Sequence, residues 1–190
     1  LVIDGNALLH RAWHALQPLT TKKGQVVSGA YGFTTILLSA IRMCKPTHIA
    51  ATFDVAGGTF RNEMFAAYKA QREKKPDELY AQIPLIQGIL DAMKIPVYTM
   101  KGFEADDVIG TIATQAVLQD DDVAVIIATG DLDTLQLVNQ QVKVLTLRKG
   151  MTDTVLYDSA AVFERYGLKP DQLVDYKALR GDQSDNIPGV

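Results

Sequence analysis

The chain has 190 residues, 47% of them hydrophobic and 22% charged, with a net charge of −3. That composition excludes a disordered or collagen-like chain and fits one domain, or one and part of another, with a core that needs no covalent staples. One cysteine, Cys44, excludes a disulfide framework and a cysteine-rich zinc site and points to a reducing, cytoplasmic setting; no apolar run reaches membrane-spanning length and no signal-peptide pattern is visible.

Leu1 is not a start methionine, and Leu1 to Ile3 already reads as a strand, so a fragment cut at both ends is expected. Val2-Ile3 runs into Asp4-Gly5-Asn6, where Asn6 is a candidate helix cap, and Leu8, Leu9, Ala12, Trp13 and Leu16 then follow a helical period. A loop over 18–24 leads to a second helix over 31–43. A strand over 48–53 ends at Asp54 and a Gly57-Gly58 turn. Residues 59–75 are polar and basic. A helix is expected over 79–93, a strand over 95–100, and a helix opening at Glu104-Ala105-Asp106-Asp107. The apolar run 123–129 reads as a buried strand ending at Gly130-Asp131-Leu132-Asp133. Residues 142–147 and 154–157 read as a strand pair near the sheet edge, and a last helix is expected over about 171–179. Helices alternating with continuously apolar strands predict an α/β fold with a mainly parallel central sheet covered on both faces.

Three of these strands end at an aspartate: Asp4, Asp54 and Asp131. Ligands of open parallel sheets bind beyond the carboxyl ends of the strands, so the three are expected on one rim. Helix capping explains any one of them. It does not explain Glu104, Asp106 and Asp107 packed into four positions, nor the further pairs Asp131/Asp133 and Asp182/Asp185, which would repel one another without cations. A carboxylate set without thiols selects Mg²⁺ or Mn²⁺, and two such ions are the usual device for displacement at phosphate. With these nine acids set aside, the rest of the chain is at +6, as a nucleic-acid enzyme requires. Residues 59–75 carry Arg61, Lys69, Arg72, Lys74 and Lys75 against Glu63 and Glu73, with Tyr68 among them, a pattern that suits contacted phosphates and a stacked base.

Asp4-Gly5-Asn6, Thr52-Phe53-Asp54, Thr59-Phe60-Arg61 with Tyr68-Lys69, Glu104-Ala105-Asp106-Asp107, Thr129-Gly130-Asp131-Leu132-Asp133 and Gly181-Asp182-Gln183-Ser184-Asp185-Asn186-Ile187-Pro188-Gly189 occur in that order. Together they resemble the 5′-3′ exonuclease domain of bacterial DNA polymerase I, in the flap endonuclease family. The resemblance implies a PIN-like core over 1–170 and, over 171–190, the start of a helix-hairpin-helix region truncated at Val190. It implies a Mg²⁺-dependent, structure-selective 5′ nuclease with two or more ions, acting in replication and repair on DNA with 5′ flaps, nicks or gaps and on RNA primer ends. A monomer is expected, away from membranes; the resemblance is compatible with a full-length chain with or without a linked polymerase domain. One metal region maps to Asp4, Asp54, Glu104, Asp106 and Asp107 and a second to Asp131, Asp133, Asp182 and Asp185. Lys69 and Arg72 match basic residues of a helical gateway at the scissile phosphate, and Tyr31 an aromatic near the template duplex. Two other classes bear on the same residues. A non-catalytic DNA-structure-binding module has no reason to keep nine repelling acids. A phosphotransfer receiver needs only three acids and a lysine, without the basic segment.

Overall fold

The computed structural model describes residues 1–72, 75–150 and 153–190. The basic segment's Glu73 and Lys74 lie outside them. In chain order the elements are β1 (Val2–Asp4), α1 (Gly5–Ala15), α2 (Ser28–Cys44), β2 (Ala50–Thr52), α3 (Phe60–Met64), α4 (Asp77–Tyr80), α5 (Ile83–Ala92), β3 (Val97–Tyr98), α6 (Ala105–Gln119), β4 (Val125–Ala128), β5 (Val142–Lys149), β6 (Asp153–Tyr157), α7 (Ser159–Tyr166) and α8 (Leu173–Arg180), with 3₁₀ turns at Leu132–Leu137, Pro170–Gln172 and Gln183–Asp185. The strands form one sheet in the order β3-β2-β1-β4-β5-β6. Every neighbouring pair is parallel except β5 and β6, the antiparallel pair expected at the edge.

Alternation along β1 divides the core between the two faces of the sheet. Ile3 packs with Leu8, Leu9, Phe33, Leu37 and Ile86 from α1, α2 and α5. Val2 packs on the other side with Ile109, Ile127, Leu135 and Val162. β1 is therefore clamped from both faces and paired on both edges. Asp4 at its end sits beside the ends of β2 and β4.

Several elements differ from expectation for identifiable reasons. The cap of α1 is Asp4, whose carboxylate accepts the Ala7 N–H at 2.9 Å; Asn6 lies inside the helix. α2 begins three residues early, because the small residues Ser28 and Gly29 that read as loop are buried in its first turn. The helix expected over 79–93 is two helices. Pro84 has no N–H to return to Tyr80, and the break leaves Gln82 buried, accepting the Ala30 N–H at 2.9 Å. α7 was not expected; Asp158 caps it and it buries only Val162. The strands over 48–53 and 95–100 shorten to β2 and β3.

Gly5 opens α1 against the ring of Phe53, and a β-carbon there would stand 2.3–2.5 Å from three ring atoms. Phe53 is only 2% exposed, so the ring has nowhere to go. Gly5→Ala is expected to destabilise the domain by about 1–3 kcal/mol, the scale of core overpacking. Gly88→Ala, in α5 with nothing within 4 Å, should leave stability unchanged or raise it. Urea unfolding of the two variants checks the contrast, and equal midpoints would contradict it.

Candidate active site

The carboxyl rim of the sheet opens into a cleft of about 1210 Å³. All nine acids line it, together with Arg61, Tyr68, Lys69 and Arg72. Tyr31 does not; it is 58% exposed on the first turn of α2.

The deepest acid is Asp4, 4% exposed, which accepts the Thr129 hydroxyl at 2.6 Å as well as the Ala7 amide. Burial pushes it up to about 6 against those two hydrogen bonds, and Asp54 and Asp131 add to the rise. Asp54, just past β2, accepts the Ala105 N–H of α6 at 2.7 Å, while its own N–H donates to Asn6 at 3.1 Å. Asp131 caps the 3₁₀ turn after β4, and its N–H donates to the Thr129 hydroxyl oxygen at 2.9 Å. Asp106, on the first turn of α6, faces these three. Burial first, then Asp4, Asp131 and Asp54, push it up to about 8, and only the Lys69 charge is set against them. Asp4, Asp54, Asp106 and Asp131 thus form one mutually repelling group.

The other five acids are engaged by cations. Asp107 holds Arg61 in a bidentate pair at 2.7 Å and also accepts the Glu104 N–H at 2.9 Å. It is turned away from the repelling group, and its hydrogen bond to Arg61 holds it below the usual carboxylate range. Glu104 caps α6 and accepts Lys69 Nζ at 2.8 Å and the Tyr68 hydroxyl at 3.0 Å. Asp185 pairs with Arg72. Lys177 of α8 bridges Asp133 and Asp182, the latter at 2.6 Å. Burial works against the Asp182 charge, yet Lys177 and Ser184 hold it down to about 2, and the two acids in turn push Lys177 up to about 12.

The structure corrects three expectations about the basic segment. Tyr68 is 7% exposed, with Lys69 Nζ 4.8 Å from its ring centroid. It is a spacer beneath Lys69 and cannot stack a base. Arg61 faces inward to Asp107 rather than outward to a strand. Lys69 and Arg72 do not lie on a helix: residues 66–71 are hydrogen-bonded turns, and Lys69 adopts a left-handed conformation with φ 57°. The acids near the C-terminus do not fray as their position suggests. The Lys69 N–H donates to the Asp185 carbonyl at 3.0 Å, Gln71 to the Gln183 carbonyl at 2.9 Å and Asn186 to the Ala67 carbonyl at 2.9 Å. Gly181 closes this turn at φ +75°, where a β-carbon would stand 2.3 Å from the Gly189 nitrogen.

Three site residues escaped the sequence reading. Thr129 and Asn6 act through hydroxyl and amide contacts that no spacing announces, although both lie in the motifs singled out. Lys177 sits near the end of the last expected helix; its position five residues before Asp182 is the available signal.

Among the described residues, no three His, Cys, Asp or Glu side chains already stand in a metal-holding arrangement. The chemistry of the donor set nonetheless fits a hard divalent cation. Four oxygen-only groups share one electrostatic site, and two of them are held well above the usual carboxylate range by burial and by the charge of the neighbouring acids.

A mainly parallel sheet carries an acidic floor and a basic wall at its carboxyl rim. The chain matches the family of the 5′-3′ exonuclease, N-terminal resolvase-like domain, over residues 1–167. It belongs to that family. DNA polymerase I of Mycobacterium leprae is 45% identical over 192 residues, covering all of this chain and 21% of that protein. DNA polymerase I of Bacillus subtilis is 44% identical over 190 residues, with the same coverage. The chain spans about a fifth of these relatives. In fold it is similar to the bacteriophage T5 D15 protein co-crystallised with metal ions, with a TM-score of 0.76 and 21% identity over all of this chain and 69% of that one. It is likewise similar to the T5 D15 flap endonuclease in a pseudo-enzyme-product complex with DNA and metal ions, at 0.72 and 22% over all of this chain and 68% of that one. Among the described residues no helix is long and apolar enough to cross a membrane.

The raised Asp106 gives a signed pH dependence. Between about pH 4 and 8 the folded chain keeps a proton on Asp106 that the unfolded chain has released, so stability falls as pH rises through that window. In EDTA the melting temperature should fall from pH 5.5 to 8.5, and Asp106→Asn should flatten the fall and melt several degrees higher at pH 8.5. An identical fall in the variant would show that Asp106 is not the uncompensated group.

Proposed function

We propose that this chain is a Mg²⁺-dependent, structure-selective 5′ nuclease domain, with Mn²⁺ as the alternative ion. Its substrates would be DNA with 5′ flaps, nicks or gaps and RNA primer ends met in replication and repair. The observation that carries this reading is the convergence of Asp4, Asp54, Asp106 and Asp131 at the ends of β1, β2, α6's first turn and β4, opposite Lys69 and Arg72. These residues would hold divalent cations, whose chemistry there would be to activate a water and offset charge on the scissile phosphate.

The chain's own residues have separable tasks. Asp4, fixed by Thr129 and the α1 cap, with Asp54, Asp106 and Asp131, would hold the first ion. Asp133 and Asp182 would hold a second once Lys177 leaves the space between them. Asp107 serves instead to fix Arg61 and the start of α6. Lys69 and Arg72, freed from Glu104 and Asp185, would offset charge developing on the phosphoryl oxygens. Tyr31, solvent-facing on α2, would meet the template duplex. Residues 171–190 would lead into a duplex-gripping helix-hairpin-helix, and the polymerase I relatives support a linked polymerase; the full-length protein would be monomeric and cytoplasmic.

The first test uses the full-length protein that carries this domain. Asp131→Asn should cut Mg²⁺-dependent cleavage of a labelled 5′-flap substrate by about 10²-fold or more, the scale of losing a key electrostatic group. Near-normal turnover at the same Mg²⁺ would sink the assignment. In the same protein, Lys69→Ala should lower kcat more than affinity; a loss confined to affinity, with the salt slope reduced by about one unit, would make Lys69 a phosphate-holding residue only.

A further inference from the structure

Because Tyr68 is buried, the aromatic surface of the basic segment lies elsewhere. None of the five residues of α3 is buried, and an isolated helix of that length is not stable in water. α3 is held by polar contacts instead: the Thr59/Asn62 capping box, the Arg61–Asp107 pair, and the Phe60 N–H donating to the Gly102 carbonyl at 3.1 Å. Of its apolar side chains, Phe60 adds a ring contact with Phe103, and Met64 stays largely in solvent. Phe60 and Met64, four residues apart on one face, and Phe65 just beyond are 37%, 80% and 41% exposed, and all three line the cleft. Phe103, outside the cleft lining, backs the Phe60 ring at 5.5 Å between centroids.

We infer that Phe60, Met64 and Phe65 form a ledge that receives an unstacked nucleobase of the strand bound in the cleft. The inference rests on the nuclease reading above and deepens it. The occupant follows from the ledge's neighbours. The Tyr68 N–H donates to the Phe65 carbonyl at 2.9 Å, so Lys69 stands one turn beyond the ledge on the same wall. A phosphate drawn to Lys69 and Arg72 brings its own base within reach of Met64 and Phe65. Aromatic rings and a polarizable thioether accept any base face without reading sequence. Arg61 lies over the Phe60 ring, 4.6 Å from its centroid, which leaves Met64 and Phe65 as the open contact surface. Unstacking a base costs least where the strand is already unpaired. The ledge therefore favours substrates with a free 5′ strand.

The test is a cycle between protein and DNA, using the full-length protein and a fluorescein-labelled 5′-flap oligonucleotide in EDTA. The substitutions Met64→Ser and Phe65→Ser, made singly and together, replace exposed side chains. The double variant should weaken binding about tenfold or more, the scale of one base–aromatic contact. An abasic site at the nucleotide on either side of the scissile phosphate should weaken wild-type binding comparably, and the double variant should then lose nothing further. Losses that multiply, or variants that bind the intact flap as wild type does, would overturn the ledge. Variants that change sedimentation but not DNA binding would overturn it by assigning the surface to a second copy of the chain. Repeating the measurements with Mg²⁺ separates the two readings: a non-multiplying cycle in EDTA without cleavage in Mg²⁺ retains the ledge and removes the nuclease.

Discussion

Like charge at the end of one buried strand sets the terms for this domain. Asp4 is 4% exposed, and Asp54, Asp106 and Asp131 face the same small space. Such an arrangement costs stability unless its charge is offset or relieved by proton uptake, and it persists only on a strongly held backbone. Here the backbone is held. β1 carries Ile3 into one core and Val2 into the other, and both its edges are paired. The acids are positioned by elements that bury apolar surface on both faces of the sheet, so their separation is set by strand register rather than by their own preferences.

Around this floor the remaining charges are sorted by sign. Arg61 takes Asp107, Lys69 takes Glu104, Arg72 takes Asp185, and Lys177 takes Asp133 and Asp182. Every cation of the cleft wall thus has a carboxylate partner, and those partners are not Asp4, Asp54, Asp106 or Asp131. These pairs are half-exposed, so their worth lies less in stability than in placement. They fix the turn-rich segment 65–72 against the start of α6 and dock the Asp182–Asn186 turn onto it through backbone carbonyls.

What the sequence discloses follows the strength of local signals. The parallel sheet is legible because 123–129 is apolar without alternation and because strands and helices alternate. The rim is legible because Asp4, Asp54 and Asp131 each follow such a run. Pro84 broke a helix that periodicity alone would continue, and α7 escaped notice because its buried face is one valine. Tyr68 misled because exposure is a tertiary property: its neighbours Lys69 and Arg72 look outward-facing in sequence, yet Glu104 and Asp185 draw them across the cleft and bury the ring beneath them. Thr129 lies within a legible motif, but one hydroxyl serving Asp4 and the Asp131 amide at once is visible only when β1 and β4 lie side by side.

The two walls of the cleft are therefore built to different standards of rigidity. The acids stand at the ends of strands that belong to a packed interior, where a displacement would open voids on both faces of the sheet. The cations and the Phe60–Met64–Phe65 surface stand on a five-residue helix and a run of turns that bury little besides Tyr68, and their anchors are hydrogen bonds and ion pairs to Glu104, Asp107 and Asp185. Segments with few apolar contacts occupy the low end of a protein's local stability. A ligand that competes for Glu104 or Asp185 would loosen this wall without disturbing the floor. The division suits the proposed function, in which fixed oxygen donors would do the chemistry while a nucleic-acid strand would be admitted and released along the basic side.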